Sequence, residues 1–178
     1  HGPVWALMYD ISRLDTPGSL VQATKDTWQT PVDSLKITER NSYLRHKGKP
    51  VLAIRGLGES DRPGTPEEAL ELIHHFNYLA EPKYRATLIG GVPSRWREMG
   101  SDSKTGPEWA EVYASWDVLL PWNVGRFQNN DGVDSWRNEM TLPDKEYLDE
   151  RSIDDFPITW PGFTWANLKR YSLPGEAY

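Results

Sequence analysis

Apolar residues are grouped along this chain in two ways. Short, nearly continuous runs occur at Val4–Tyr9, Pro50–Ile54, Ala86–Gly90, Val118–Leu120 and Phe156–Thr159. Each is bounded by turn or charged residues, as expected of strands buried on both faces of a parallel sheet. The second grouping repeats at helical spacing. Thr65 and Glu68 form a capping box, Pro66 stands in the tolerated first turn, and Ala69, Leu72, Ile73, Phe76 and Ala80 then share one face until Pro82 ends the helix. Pro107–Ser115 predicts another helix, with Trp109, Val112 and Tyr113 turned inward. Ser19–Leu35 reads as partly helical, with Pro31 expected to break or begin a helix. Tyr43–Lys49 reads as a turn, and residues 131–152 as broken helical segments.

The order is strand, loop, helix, repeated. Alternating βα units predict a parallel sheet with helices packed on it. Five strands fit either an open doubly wound sheet or part of a closed barrel, and periodicity does not separate the two. No phosphate loop or GxGxxG follows a strand, and Gly56-Leu57-Gly58 is too short to stand in for one. With 178 residues the chain is long enough for one domain, whereas a complete (β/α)₈ barrel takes about 250.

Composition narrows the function. Mean hydropathy is −0.67, and no apolar stretch approaches the ~18 residues of a membrane span. The net charge of −6 is spread without a basic stripe, so nucleic acid is not an expected partner. With 0 cysteines there are no disulfides, thiolate zinc sites or Cys-His pairs. There is no GxSxG elbow. His46, His74 and His75 are expected at or near the surface. His1 carries the amine and imidazole of an N-terminal copper chelate, but that chemistry belongs to β-sandwich proteins and this chain is a βα repeat. No metal or cofactor is expected. The nine tryptophans have two readings. They build a core through their large area, or they present flat faces to sugar rings.

In parallel α/β folds ligands bind beyond the carboxyl ends of the strands. The residues that follow the apolar runs there are Asp10, Arg55, Trp96 and Arg97, Trp122 and Arg126, and Phe163 and Trp165. Acids, arginines and aromatic rings recur at one end, as a carbohydrate cleft requires. The competing roles are a turn cap for Asp10 and surface ion pairs for the arginines, above all for Arg95.

Several ordered segments carry a resemblance. They include Ala6-Leu7-Met8-Tyr9-Asp10-Ile11-Ser12, Tyr43-Leu44-Arg45-His46-Lys47-Gly48-Lys49-Pro50, Gly91-Val92-Pro93-Ser94-Arg95-Trp96-Arg97, Pro121-Trp122-Asn123-Val124-Gly125-Arg126 and Pro161-Gly162-Phe163-Thr164-Trp165. Together they resemble the glycoside hydrolase 71/99-like proteins, the group that includes endo-α-mannosidase relatives. The resemblance implies a (β/α)₈ TIM-type barrel acting on polysaccharide, retaining and endo-acting on α-linkages, in a secreted or periplasmic setting. It places the acid/base carboxylates on a late strand, beyond Tyr178, so residues 1–178 are expected to be one domain, a central slice of about five βα units, inactive alone. Arg55 stands where relatives often carry an aromatic residue. The alternative is a non-catalytic carbohydrate-binding relative with the same cleft.

Overall fold

The structure, a computed structural model, describes residues 2–14 and 19–159. Six strands form its sheet: β1 (Leu7–Asp10), β2 (Arg45–His46), β3 (Lys49–Arg55), β4 (Thr87–Pro93), β5 (Val118–Trp122) and β6 (Asp154–Asp155). β1, β3, β4, β5 and β6 run parallel and lie side by side in chain order. Each long connection therefore carries the chain to the next position, and the order never reverses. β2 pairs antiparallel with β3. Lys47 and Gly48, both with positive φ (48° and 83°), make the two-residue turn of that hairpin.

Among the described residues five α-helices accompany the sheet: α1 (Leu20–Leu35), α2 (Pro66–His74), α3 (Pro107–Tyr113), α4 (Asn130–Trp136) and α5 (Leu142–Asp149). Alternation along the strands sorts side chains onto two faces. Leu52, Ile54, Leu88, Val92 and Leu119 pack with α1, α2 and α3 through Trp28, Val32, Leu72, Trp109 and Val112. Val51, Ala53, Ile89, Val118 and Leu120 form a second cluster on the other face, with Leu44, Trp122 and Ile158 against it and no helix residue among them. Among the described residues, the helices thus cover one face.

Several expectations hold. The Thr65–Glu68 capping box forms in both directions, at 3.0 and 3.2 Å. Trp109, Val112 and Tyr113 are buried on α3. Residues 130–149 are helical with a widened turn, Arg137–Thr141, between α4 and α5.

Others are corrected. α1 runs unbroken through Pro31. An interior proline costs about 3 kcal/mol, and burial of Trp28 and Val32 on either side of it offsets that, at ~1.5–3 kcal/mol per large side chain. The first strand is shorter than Val4–Tyr9 and lies at the sheet edge, with Met8 46% exposed. The turn before β3 contains a strand of its own. The fifth parallel strand is Asp154–Asp155, ahead of the expected Phe156–Thr159. Ile153 is the buried apolar residue beside this strand, and Asp154 is tolerated in it because the Lys47 ammonium neutralises it, with His46 as a second partner. His46 Nε2 and Lys47 Nζ sit 2.8 and 2.6 Å from its Oδ2.

That last contact defines the shape of the sheet. β3 and β6 are three strand positions apart, about 14 Å at the usual ~4.8 Å spacing. The β2–β3 hairpin crosses this gap beneath the amino-terminal end of the sheet, where Thr87 Oγ1 also donates to the His46 carbonyl at 3.1 Å. The amino-terminal end is therefore tied shut by the hairpin. No helix of the described residues is long and apolar enough to cross a membrane.

Candidate functional site

At the carboxyl end the strands leave their last side chains on the helix-free face. Asp10 pairs in register with Arg55, and Arg55 with Gly91. Gly91 makes room for the arginine, because a Cβ there would lie 3.0 Å from Arg55 Cα and Cβ. The guanidinium then meets Asp10 Oδ2 at 3.1 Å and Glu59 Oε1 at 3.4 Å, and its carbon lies 4.2 Å from the centre of the Trp122 ring. Three of the expected residues, Asp10, Arg55 and Trp122, thus converge on one contact, with Arg55 as its centre.

Asp10 caps a turn and faces Arg55 as well. Oδ1 caps the following turn by accepting from Ser12 N–H at 2.9 Å, while Oδ2 faces Arg55. Its partial burial disfavours the charge, but the Ser12 hydrogen bonds and the guanidinium outweigh that and hold its pKa below the ordinary value. Glu59 responds in the opposite direction. Burial pushes its pKa up, Arg55 and Arg62 pull it down, and nearby Asp61 and Asp102 add to the rise. The two carboxyls sharing Arg55 are therefore driven apart.

Arg126 reaches the same rim from the loop after β5 and pairs with Asp102. Asp102 is itself held by Ser94, whose hydroxyl lies 3.0 and 3.2 Å from its two oxygens. Backbone bonds from Ser60 N–H to the Asp102 carbonyl (2.8 Å) and from Lys104 N–H to the Gly58 carbonyl (2.7 Å) lace the loops after β3 and β4 together. That lacing brings Glu59 and Asp102 to the rim. Neither follows a strand directly, so reading the residue after each apolar run passes them by; Glu59 stands one position beyond Gly56-Leu57-Gly58.

Trp96 and Arg97 lie elsewhere. Trp96 is 2% exposed, edge-on to Tyr113 and Tyr147, and donates from Nε1 to Asp144 Oδ2 at 3.2 Å. Its ring is enclosed and has no open face for a ligand. Arg97 Nε donates to Asp144 Oδ1 at 2.7 Å. Burial pushes the Asp144 carboxyl up to about 6, against the pull of Arg97 and the Trp96 hydrogen bond. Phe163 and Trp165 lie outside the described residues. Among the described residues no group of three or more His, Cys, Asp or Glu could hold a metal ion.

Every arginine of the rim faces a carboxylate: Arg55 with Asp10 and Glu59, Arg62 with Glu59 and Asp61, and Arg126 with Asp102. A phosphate or carboxylate ligand would have to displace these acids. A neutral ligand bearing hydroxyls would not. No family model, curated protein or solved structure matches the chain.

Proposed function

We propose that the chain is the central part of a (β/α)₈ glycosidase-like barrel related to the glycoside hydrolase 71/99-like proteins, and that its carboxyl-terminal rim binds a neutral polysaccharide. The observation that carries this reading is the Asp10–Arg55–Trp122 contact at the ligand end of a parallel sheet. An indole offers a flat apolar surface to a sugar ring, and fixed charged groups beside it accept and donate to hydroxyls. Two features of the described residues support the barrel: strands adjacent in chain order, and helices on one face. A doubly wound sheet would reverse its order and carry helices on both faces. A secreted or periplasmic setting accompanies this reading.

The rim also favours binding over chemistry within this chain. Its carboxylates at Asp10, Glu59 and Asp102 are each engaged by a guanidinium, so none is poised to protonate a leaving oxygen while another attacks. The acid/base pair then belongs to a further segment, or the protein is a non-catalytic carbohydrate-binding relative. Calorimetric titration with oligosaccharides of α-mannan, α-glucan and xylan tests the reading. The expected outcome is binding of at least one series, weakened by Trp122→Ala, with no turnover by this chain. Absence of binding to every series, or binding indifferent to Trp122→Ala, would overturn it.

A further inference from the structure

At the end of β5 a small cavity lies between the strand ends and the α4–α5 segment. It has a volume of about 20 Å³, room for one water-sized group. Its polar lining comes from Ser94 after β4, Asn123 after β5, Thr141 and Asp144 at the start of α5, and Asp155 of β6; Trp136 is its aromatic wall. We propose that this cavity is a subsite for a single hydroxyl of a neutral sugar, whose ring lies against Trp136. The proposal rests on the carbohydrate reading above and adds a second recognition point to it.

The polar groups of the cavity suit a hydroxyl. Asn123 gives its amide N–H to the Ile158 carbonyl at 3.3 Å, but its buried Oδ1 has no donor. Among the described residues nothing hydrogen-bonds the Asp155 carboxyl or the Thr141 hydroxyl. The Ser94 proton is committed to Asp102, which leaves the Ser94 oxygen able to accept. The cavity thus offers unmatched acceptors together with one hydroxyl able to donate. A ligand hydroxyl, which both donates and accepts, completes such a set.

Charge argues against the other ligands. An anion would face two carboxyl groups with no cation in the lining. A metal ion would need Asp144, whose Oδ1 and Oδ2 are already taken by Arg97 and Trp96. Burial raises the pKa of Asp155 as well as Asp144, which favours a neutral occupant over a cationic one. Asn123 follows Trp122 directly in the chain, so an oligosaccharide lying across the rim passes from one site to the other.

The test is NMR titration of the chain with α-mannotriose, maltotriose and xylotriose, following the Asn123 side-chain amide and the Thr141 methyl. Both signals should shift with at least one sugar. Thr141→Val should weaken that sugar's binding by about tenfold, one lost hydrogen bond to a buried partner, and Thr141→Ser should restore it. Because Thr141→Val keeps the side chain's shape, its fold is checked by the unchanged remainder of the spectrum; Asn123→Leu, which fills the cavity, is the second variant and should abolish the Thr141 shift. Sugar binding that depends on Trp122 while Asn123 and Thr141 stay silent would overturn the subsite and leave the carbohydrate reading standing. Silence of the whole spectrum towards all three sugars would overturn both. Shifts at Asp144 and Asp155 produced by calcium chloride alone would replace the hydroxyl assignment with a cation site.

Discussion

Two regions of the molecule use tryptophan differently. Beneath the helices, Trp28, Trp96, Trp109 and Trp116 are at most 6% exposed. Trp28 gives its N–H to the Tyr84 carbonyl at 2.8 Å, Trp96 gives its own to Asp144, and Trp116 lies flat on β4, where Gly90 leaves room for it. At the carboxyl-terminal rim, Trp122 and Trp136 are only half-buried, and each meets a guanidinium, from Arg55 at 4.2 Å and Arg95 at 5.6 Å. A helix-covered face encloses the ring and satisfies the one donor of Trp28 and Trp96, though not that of Trp116. The rim leaves part of the ring's surface open and shares the rest with a guanidinium. Tryptophan content alone therefore does not mark a sugar site; under the proposed function, the half-buried rings of the rim are the ones a ligand would reach.

The sharpest way to break this division is Trp109→Ala. Loss of a buried tryptophan should cost about 3–5 kcal/mol of stability, read as a lower urea midpoint, with sugar affinity unchanged in the molecules that remain folded. If sugar binding falls while the midpoint holds, the two regions have been assigned the wrong way round.

Asp144 joins them, because it takes the N–H of a core tryptophan and also lines the rim cavity. Its carboxyl titrates at an ordinary value of 3.8 when unfolded and about 6 when folded. Between those values the folded state keeps a proton that the unfolded chain has lost, so stability should decline as pH rises through the window, by roughly 2–3 kcal/mol. Asp144→Asn should flatten that slope in unfolding curves recorded from pH 4 to 6.5. A slope unchanged in the variant would assign the effect to another group.

For Trp122→Ala the expected loss is in binding, roughly 1–3 kcal/mol by analogy with stacking on aromatics elsewhere, with the melting temperature nearly unmoved. Calorimetry and thermal unfolding on the same preparation separate the two. The smallest effect belongs to the opposite end of the strands. Lys47 first, and then His46, hold the Asp154 pKa below its ordinary value. The stabilisation from that pair is present above the unfolded pKa and fades as pH falls through the depressed folded one. Being partly exposed, it is worth about 0–1 kcal/mol. Asp154→Asn should remove this acid dependence and leave sugar binding intact.

Much of this division could be read from the sequence. Parallel strands end at a common edge, so Asp10, Arg55 and Trp122 could be grouped before their contact was seen. The helical spacing of Trp109, Val112 and Tyr113 marked them as core. Trp96 shows where that logic stops: it follows β4 as Trp122 ends β5, yet the turn after Ser94 carries its indole inward to Asp144. Glu59 and Asp102 reach the rim through hydrogen bonds between two loops, which no local pattern encodes. Burial of Trp28 and Val32 overrode the helix-breaking tendency of Pro31, and neutralised acid took the strand position that the apolar Phe156–Thr159 run had suggested.

The hairpin clamp has a consequence for the order of assembly. Each parallel strand pairs with the one before it in the chain, so loop closures are moderate and successive βα units can add one after another. The contact from His46 and Lys47 to Asp154 instead joins distant parts of the chain and waits for every strand between them. As the clasp on a sequence of smaller closures, it should be among the last contacts made on folding and the first released when the end of the sheet frays. Amides of β6 should accordingly exchange with solvent faster than those of β3 and β4.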